Sequence, residues 1–155
     1  MADVTLVTGA AGALGSEVAR KLSARGDRVV LVDGAAARAR LEQLAAGLPG
    51  TSVVVVGSRA AEQPWAGAGA AAYAASKSAV VALARAVAAE VLEHGVRVNA
   101  ILPSTMDTPA NRAAMPKADP NRWVSLDSAA GVVAFLLSDA ARDISGAALP
   151  VYGRA

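Results

Sequence analysis

Tyr73 and Lys77 stand four residues apart in a stretch whose spacing predicts a long helix from about Ala71 to His94, so their side chains share a face. An ammonium beside a phenol favours the phenolate. Such a tyrosine can give a proton to a substrate undergoing reduction, or take one in the reverse direction, near neutral pH. A surface pair without chemistry is the alternative. Against it, the chain holds only two tyrosines, and the pair follows an irregular small-residue loop, Gly57 to Ala70, suited to an active site.

A second run, Thr5-Leu-Val-Thr-Gly-Ala-Ala-Gly-Ala-Leu-Gly-Ser16, leaves an apolar segment, Val4 to Val7, and passes Gly9, Gly12 and Gly15. Ser16 then opens an amphipathic segment, Glu17 to Ala24. The order reads as strand, glycine turn, helix. Glycines let backbone approach a ligand closely, and the free amides of a helix start suit a phosphate. A glycine turn that only packs would look similar. Asp33 lies 18 residues after Gly15, at the end of the next apolar run. An acidic residue there accepts hydrogen bonds from both ribose hydroxyls of an adenosine and repels a 2′-phosphate. It favours NAD(H), while Arg38 and Arg40, able to reach a phosphate, keep NADP(H) open. Its other role would be to cap the following helix.

The elements that must position these residues alternate. Strands are expected over Val4 to Val7, Arg28 to Val32, Thr51 to Val56, Val96 to Leu102 and Ala147 to Val151. Helices are expected over Glu17 to Ala24, Ala35 to Leu48, Ala71 to His94 and Leu126 to Ser138. Ser104 to Val124, with Pro109, Pro116 and Pro120, reads as a loop with at most a short helix, of a length typical of lids and binding segments. The alternation predicts an α/β fold: a Rossmann-like, doubly wound parallel sheet with about five strands, in one nucleotide-binding domain over residues 1–155.

Composition narrows the function classes. With no cysteine and one histidine, disulfides, thiolate metal sites, cysteine nucleophiles and histidine metal clusters are excluded. His94, at a helix end, suits the helix dipole. A net charge of +2 without a basic tract argues against nucleic acid as a partner. The apolar runs fall short of a membrane span. Met1-Ala-Asp runs straight into the first strand, so no leader is expected, and a cytoplasmic protein acting on a small molecule is the expectation.

Thr8-Gly9-x-x-Gly12-x-Leu14-Gly15, Asp33, Tyr73-x-x-x-Lys77 and Val96-Arg-Val-Asn-Ala-Ile-Leu-Pro103 together resemble the short-chain dehydrogenase/reductase family. Leu102-Pro-Ser-Thr-Met-Asp-Thr-Pro-Ala-Asn-Arg112, Met115-Pro, Trp123 and the Gly12-Ala13 order are similar to its quinoid dihydropteridine reductase branch and bacterial relatives. The resemblance implies that Gly9, Gly12, Ala13, Leu14 and Gly15 lie at the cofactor pyrophosphate and Asp33 at the adenosine ribose. It implies Tyr73 as proton donor, and Lys77 as its activator and as a ligand of the nicotinamide ribose. Pro103 and Thr108 would border the nicotinamide. Ser58 stands near the place of the family's substrate-polarising serine, two residues further from the tyrosine than is usual. Asp107 and Asn111 shape the loop or meet the substrate, and Trp65 and Trp123 cover the cleft or pack.

The chain also departs from the family, whose sheet has seven strands. Thr51 to Val56 runs directly into Gly57-Ser58, where a relative would place a third strand, a fourth strand with Asn-Asn-Ala-Gly, and helices. Thr51 to Val56 could stand for the third strand, the fifth, or a fusion. An internal deletion would account for this, with the sheet expected to close over the gap. Two readings follow: a reductase of a carbonyl or a quinonoid dihydropterin, and a nucleotide-binding or interaction domain without turnover. Exposed strand edges beside the gap would favour a homo-oligomer, a dimer or tetramer.

Overall fold

The computed structural model describes residues 4–8, 12–26, 28–32, 52–66 and 69–154. Gly9, Asp33, Arg38, Arg40 and the helix expected over 35–48 lie outside the described residues. Five strands are present among them: β1 (Val4–Thr8), β2 (Arg28–Val32), β3 (Ser52–Val56), β4 (Arg97–Pro103) and β5 (Ala148–Val151). Four helices accompany them: α1 (Ala13–Ala24), α2 (Ala71–Glu90), the short α3 (Pro109–Ala114) and α4 (Leu126–Leu136). Every ladder is parallel, as short strands separated by helical crossovers require.

Among the described residues the parallel strands are hydrogen-bonded in two groups. β1 pairs with β2, and β3-β4-β5 form a second sheet with β4 at its centre. The expected closure over the gap is not met: among the described residues no ladder joins β1 to β3. Helix packing holds the two sheets together instead. Val18 and Leu22 of α1 share one core with Ala129, Ala130 and Val133 of α4, and Val7 and Ile101 join it. Lys21 Nζ meets Asp127 Oδ1 at 2.6 Å, and Arg25 Nη1 donates to Ala134 O at 3.0 Å.

The last carbonyls of a helix need outside donors, and α4 finds them in three separate elements. Besides Arg25, Ser52 Oγ at the start of β3 donates to Leu136 O at 3.0 Å. Arg97 at the start of β4 donates to Leu136 O at 2.8 Å and to Ser138 O at 3.2 Å. Asn99, fully buried in β4, has both ends of its amide satisfied: Nδ2 donates to Ile144 O at 2.9 Å and Oδ1 accepts from Ala147 N at 3.0 Å. It thereby fixes the turn that delivers β5.

Three expected boundaries are corrected. α1 begins at Ala13 rather than after Ser16, because Gly15 is tolerated in the first turn, where Ser16 N already donates to Gly12 O at 2.9 Å. α2 stops at Glu90 instead of His94: Leu92–His94 tighten into a 3-10 turn before Gly95, whose φ of 68° is the left-handed conformation that ends helices. α4 ends at Leu136 rather than Ser138, at the donors just named.

Candidate active site

The first turn of α1 is open to an anion. Gly12 caps it with extended backbone and no side-chain hydrogen bond, and the turn contains no acidic residue. Ser16 Oγ turns back to donate to Ala13 O at 3.1 Å, so no side chain described there competes for the amides of Ala13, Leu14 and Gly15. A helix start in this state fits the pyrophosphate of a dinucleotide. Leu14, in the first turn of α1, and Met106, from the loop after β4, pack against one apolar cluster.

β3 and β4 run side by side, Val56 opposite Ile101, so the loops that follow them leave the same edge. After β3 come Gly57 and Ser58. Gly57 N donates to Ile101 O at 2.8 Å, carrying the ladder one residue further. A Cβ at Gly57 would stand 2.6 Å from Leu102 Cδ2, 3.2 Å from Val81 Cγ2 and 3.3 Å from Ile101 O. Leu102 is fully buried and has little room to yield. Gly57→Ala is expected to cost about 1–3 kcal/mol through overpacking, seen as a lower denaturation midpoint.

Ser58 caps a 3-10 turn, Arg59–Ala61, its Oγ accepting from Ala60 N at 3.2 Å. Its hydroxyl proton remains available to a substrate oxygen. The turn is tied to α2 by Ser78 Oγ, which donates to Ala61 O at 3.3 Å.

Tyr73 and Lys77 lie on the first two turns of α2. Lys77 Nζ sits 5.8 Å from the centre of the Tyr73 ring and donates to Val56 O at 3.1 Å. The strand end thus holds the ammonium beside the phenol ring and leaves it two further protons to donate. Tyr73 is half exposed, open to a ligand at the edge of the sheet.

Pro103 ends β4, buried opposite Val151. The loop after it is more ordered than a lid. Asp107 N donates to Val124 O at 2.8 Å and Val124 N to Thr105 O at 2.9 Å, closing its base. Thr108, nine-tenths buried, caps α3 by accepting from Asn111 N at 3.1 Å, and Asn111 Nδ2 donates to Met106 O at 2.8 Å. Asp107 and Asn111 therefore shape the loop. Trp123 is half-buried, whereas Trp65 is 77% exposed and does not pack.

Arg112 grips Asp107 through two hydrogen bonds, of 2.6 and 2.8 Å. The first cause of the low Asp107 pKa is that hydrogen bonding, which holds its carboxyl below the usual carboxylate range. A lowered folded value adds stability that is complete above the ordinary aspartate pKa of about 4 and is lost as pH falls through the folded value. Asp107→Asn is therefore expected to speed amide exchange in 107–112 at neutral pH, and to match the parent in strong acid.

The structure thus gathers Ser58, Tyr73 and Lys77 at the end of β3, with Pro103 as the last residue of the adjoining β4 and Thr108 in the loop beyond it. Gly12, Ala13, Leu14 and Gly15 belong to the other sheet's edge. Reading the sequence missed Tyr152, whose hydroxyl donates to Glu62 Oε2 at 3.3 Å, beside the Ser58 turn. Its rarity, as one of two tyrosines in the chain, was the available signal.

A family model described as enoyl-(acyl carrier protein) reductase matches residues 48–153. Protein FixR of Bradyrhizobium diazoefficiens is 40% identical over 104 residues, covering 64% of this chain and 36% of that protein. The 3-oxoacyl-[acyl-carrier-protein] reductase MabA of Mycobacterium tuberculosis is 38% identical over 89 residues, covering 52% of this chain and 36% of MabA. The matched stretch spans about a third of the length of these relatives. NAD+-bound xylitol dehydrogenase has the same fold, with a TM-score of 0.77 at 21% identity, over 97% of this chain and 98% of that one. The chain belongs to the short-chain dehydrogenase/reductase family.

Proposed function

We propose that the chain, as a single domain over residues 1–155, is a nicotinamide-dependent oxidoreductase that reduces a carbonyl, with Tyr73 as the proton donor. The observation that carries the reading is the Lys77 ammonium, fixed by the Val56 carbonyl beside the half-exposed Tyr73 ring. A bound reduced nicotinamide supplies the hydride to the carbonyl carbon. Gly12, Ala13, Leu14 and Gly15 at the start of α1 would hold the pyrophosphate, together with Gly9, which lies outside the described residues. Asp33 binds the adenosine ribose and favours NAD(H), with NADP(H) admitted by Arg38 and Arg40. Lys77 uses its remaining protons on the nicotinamide ribose, and Pro103 and Thr108 border the nicotinamide ring. Ser58 donates to the substrate oxygen and polarises it. Tyr73 Oη passes its proton to that oxygen to complete the alcohol, and solvent restores the proton.

A 3-oxo thioester is favoured by the relationship to MabA, and a quinonoid dihydropterin by the residues from Leu102 to Trp123. Work in the cytoplasm is consistent with either. No helix among the described residues is long and apolar enough to cross a membrane. β3 runs into Ser58 and pairs with β4, which supports reading it as the family's fifth strand. The space beside β1 is then the place of the fourth, lost with an internal deletion.

A second reading, a nucleotide-binding domain without turnover, is favoured by the absence, among the described residues, of a ladder between β1 and β3. Under either reading we propose self-association. Ala75, Ala79, Ala82, Ala86 and Ala89 form an exposed small-residue face along α2, and among the described residues β1 and β3 each have one edge without a strand partner.

Calorimetry with NADH and NADPH, followed by assays with acetoacetyl-CoA and quinonoid dihydropterin, tests the readings. Binding with turnover supports the reductase, and binding alone supports the second reading. Absence of binding refutes both. A monomer in light scattering refutes the proposed self-association.

A further inference from the structure

The turn that presents Ser58 is fastened from the far end of the chain. Tyr152 directly follows β5 and contacts two loops at once. Its hydroxyl donates to Glu62 Oε2 at 3.3 Å, and the Arg59 guanidinium lies 6.0 Å over its ring. Its carbonyl accepts from Ser104 Oγ at 2.7 Å, while Ser104 N donates to Val151 O at 3.0 Å. Arg59 is the first residue of the turn that Ser58 caps, and Glu62 is the residue that closes its other end. Ser104 follows Pro103. One side chain and its backbone therefore bind together the loops after β3, β4 and β5. Burial first, and the Glu62 carboxylate second, push the Tyr152 phenol up, so it remains a donor at neutral pH.

We propose that Tyr152 is a positioning residue, which through Glu62 and Arg59 clamps the Arg59–Ala61 turn and so fixes where the Ser58 hydroxyl meets the substrate. The proposal rests on the reading of Ser58 as the carbonyl-polarising group. Tyr152 acts through other residues and touches neither substrate nor cofactor.

Amide exchange at Ala60, whose N–H is held by Ser58 Oγ, reads the clamp without any turnover. Tyr152→Phe keeps a ring under Arg59 and removes only the hydroxyl. Ala60 exchange is expected to rise about threefold to fivefold, the factor that one ordinary net hydrogen bond supplies. Glu62→Ala should do the same, Glu62→Gln, which keeps an acceptor, should restore the parental rate, and the double variant should be no worse than either single one. In the reductase assay with acetoacetyl-CoA, kcat should fall by a similar factor while the KM for NADH is unchanged. Unchanged Ala60 exchange in Tyr152→Phe overturns the proposal, as does an equal rise in Glu62→Gln. A rise spread evenly over the whole chain also overturns it, because that marks general destabilisation. Ser58→Ala separates the underlying reading: full turnover in that variant removes Ser58 from the chemistry, and Ala60 exchange then decides the clamp alone.

Discussion

Tyr73→Phe is expected to lower turnover by about 10²- to 10⁴-fold, the usual contribution of a positioned general acid. Affinity for NADH should stay within about twofold of the parent, since a group used only as charge develops contributes little to ground-state binding. The phenylalanine keeps the ring beside the Lys77 ammonium and deletes only the hydroxyl. Parallel losses of binding and turnover would mean that Tyr73 holds the cofactor instead. Retention of turnover would assign the proton to another group, with Ser58 the first to examine. Lys77→Met is the companion variant. It removes the ammonium from the Val56 carbonyl and, under the proposed role of Lys77, from the nicotinamide ribose, so it should weaken NADH binding as well as slow the reaction.

Leu22→Ala is expected to destabilise the fold by about 2–5 kcal/mol, the range for leucine removed from a closed core. For a chain of this size that corresponds to a fall in melting midpoint of roughly 5–15 °C. Leu22 is fully buried where α1 meets α4. Among the described residues, no strand ladder shares the load between the two sheets, so the seam depends on this helix packing and on the contacts of Lys21 and Arg25 with α4. Phe135→Ala, at a position 42% exposed on α4, serves as the control and should change stability by no more than about 0.5 kcal/mol. A shift of less than about 2 °C for Leu22→Ala would place the seam elsewhere.

The strands and the long helix were legible because their signals are local. β-Branched runs such as Ser52–Val56, and the apolar Val96 to Pro103, specify their own conformation, and the observed strands begin or end within a residue of the expected places. Helix ends were less legible. Leu92–His94 have helical composition, but the chain tightens there to reach Gly95, and composition does not distinguish a 3-10 turn from one more α-turn. The Ser104 to Val124 segment read as a loop because its order comes from pairing between distant residues, Met106 with Val124. The Tyr73–Lys77 spacing announced a shared helix face, yet it said nothing of the Val56 carbonyl, 21 residues away, that holds the ammonium. Tyr152 and Glu62, 90 residues apart, were beyond any motif.

The three-source capping of α4 bears on how the chain gains its structure. Ser52 and Arg97 sit at the amino ends of two neighbouring strands, and both reach the carbonyl end of the same helix. Strands β3 and β4 therefore supply two of the three donors that α4 uses at its carbonyl end, and only Arg25 comes from outside the second sheet and its helices. That makes this part a candidate cooperative unit, able to form before the amino-terminal pair of strands arrives. Arg25 and Leu22 then act as the latch by which β1, α1 and β2 join a partner already assembled. On a ribosome the order of synthesis is the reverse: the amino-terminal strands and α1 emerge first and must wait for the surface that receives them.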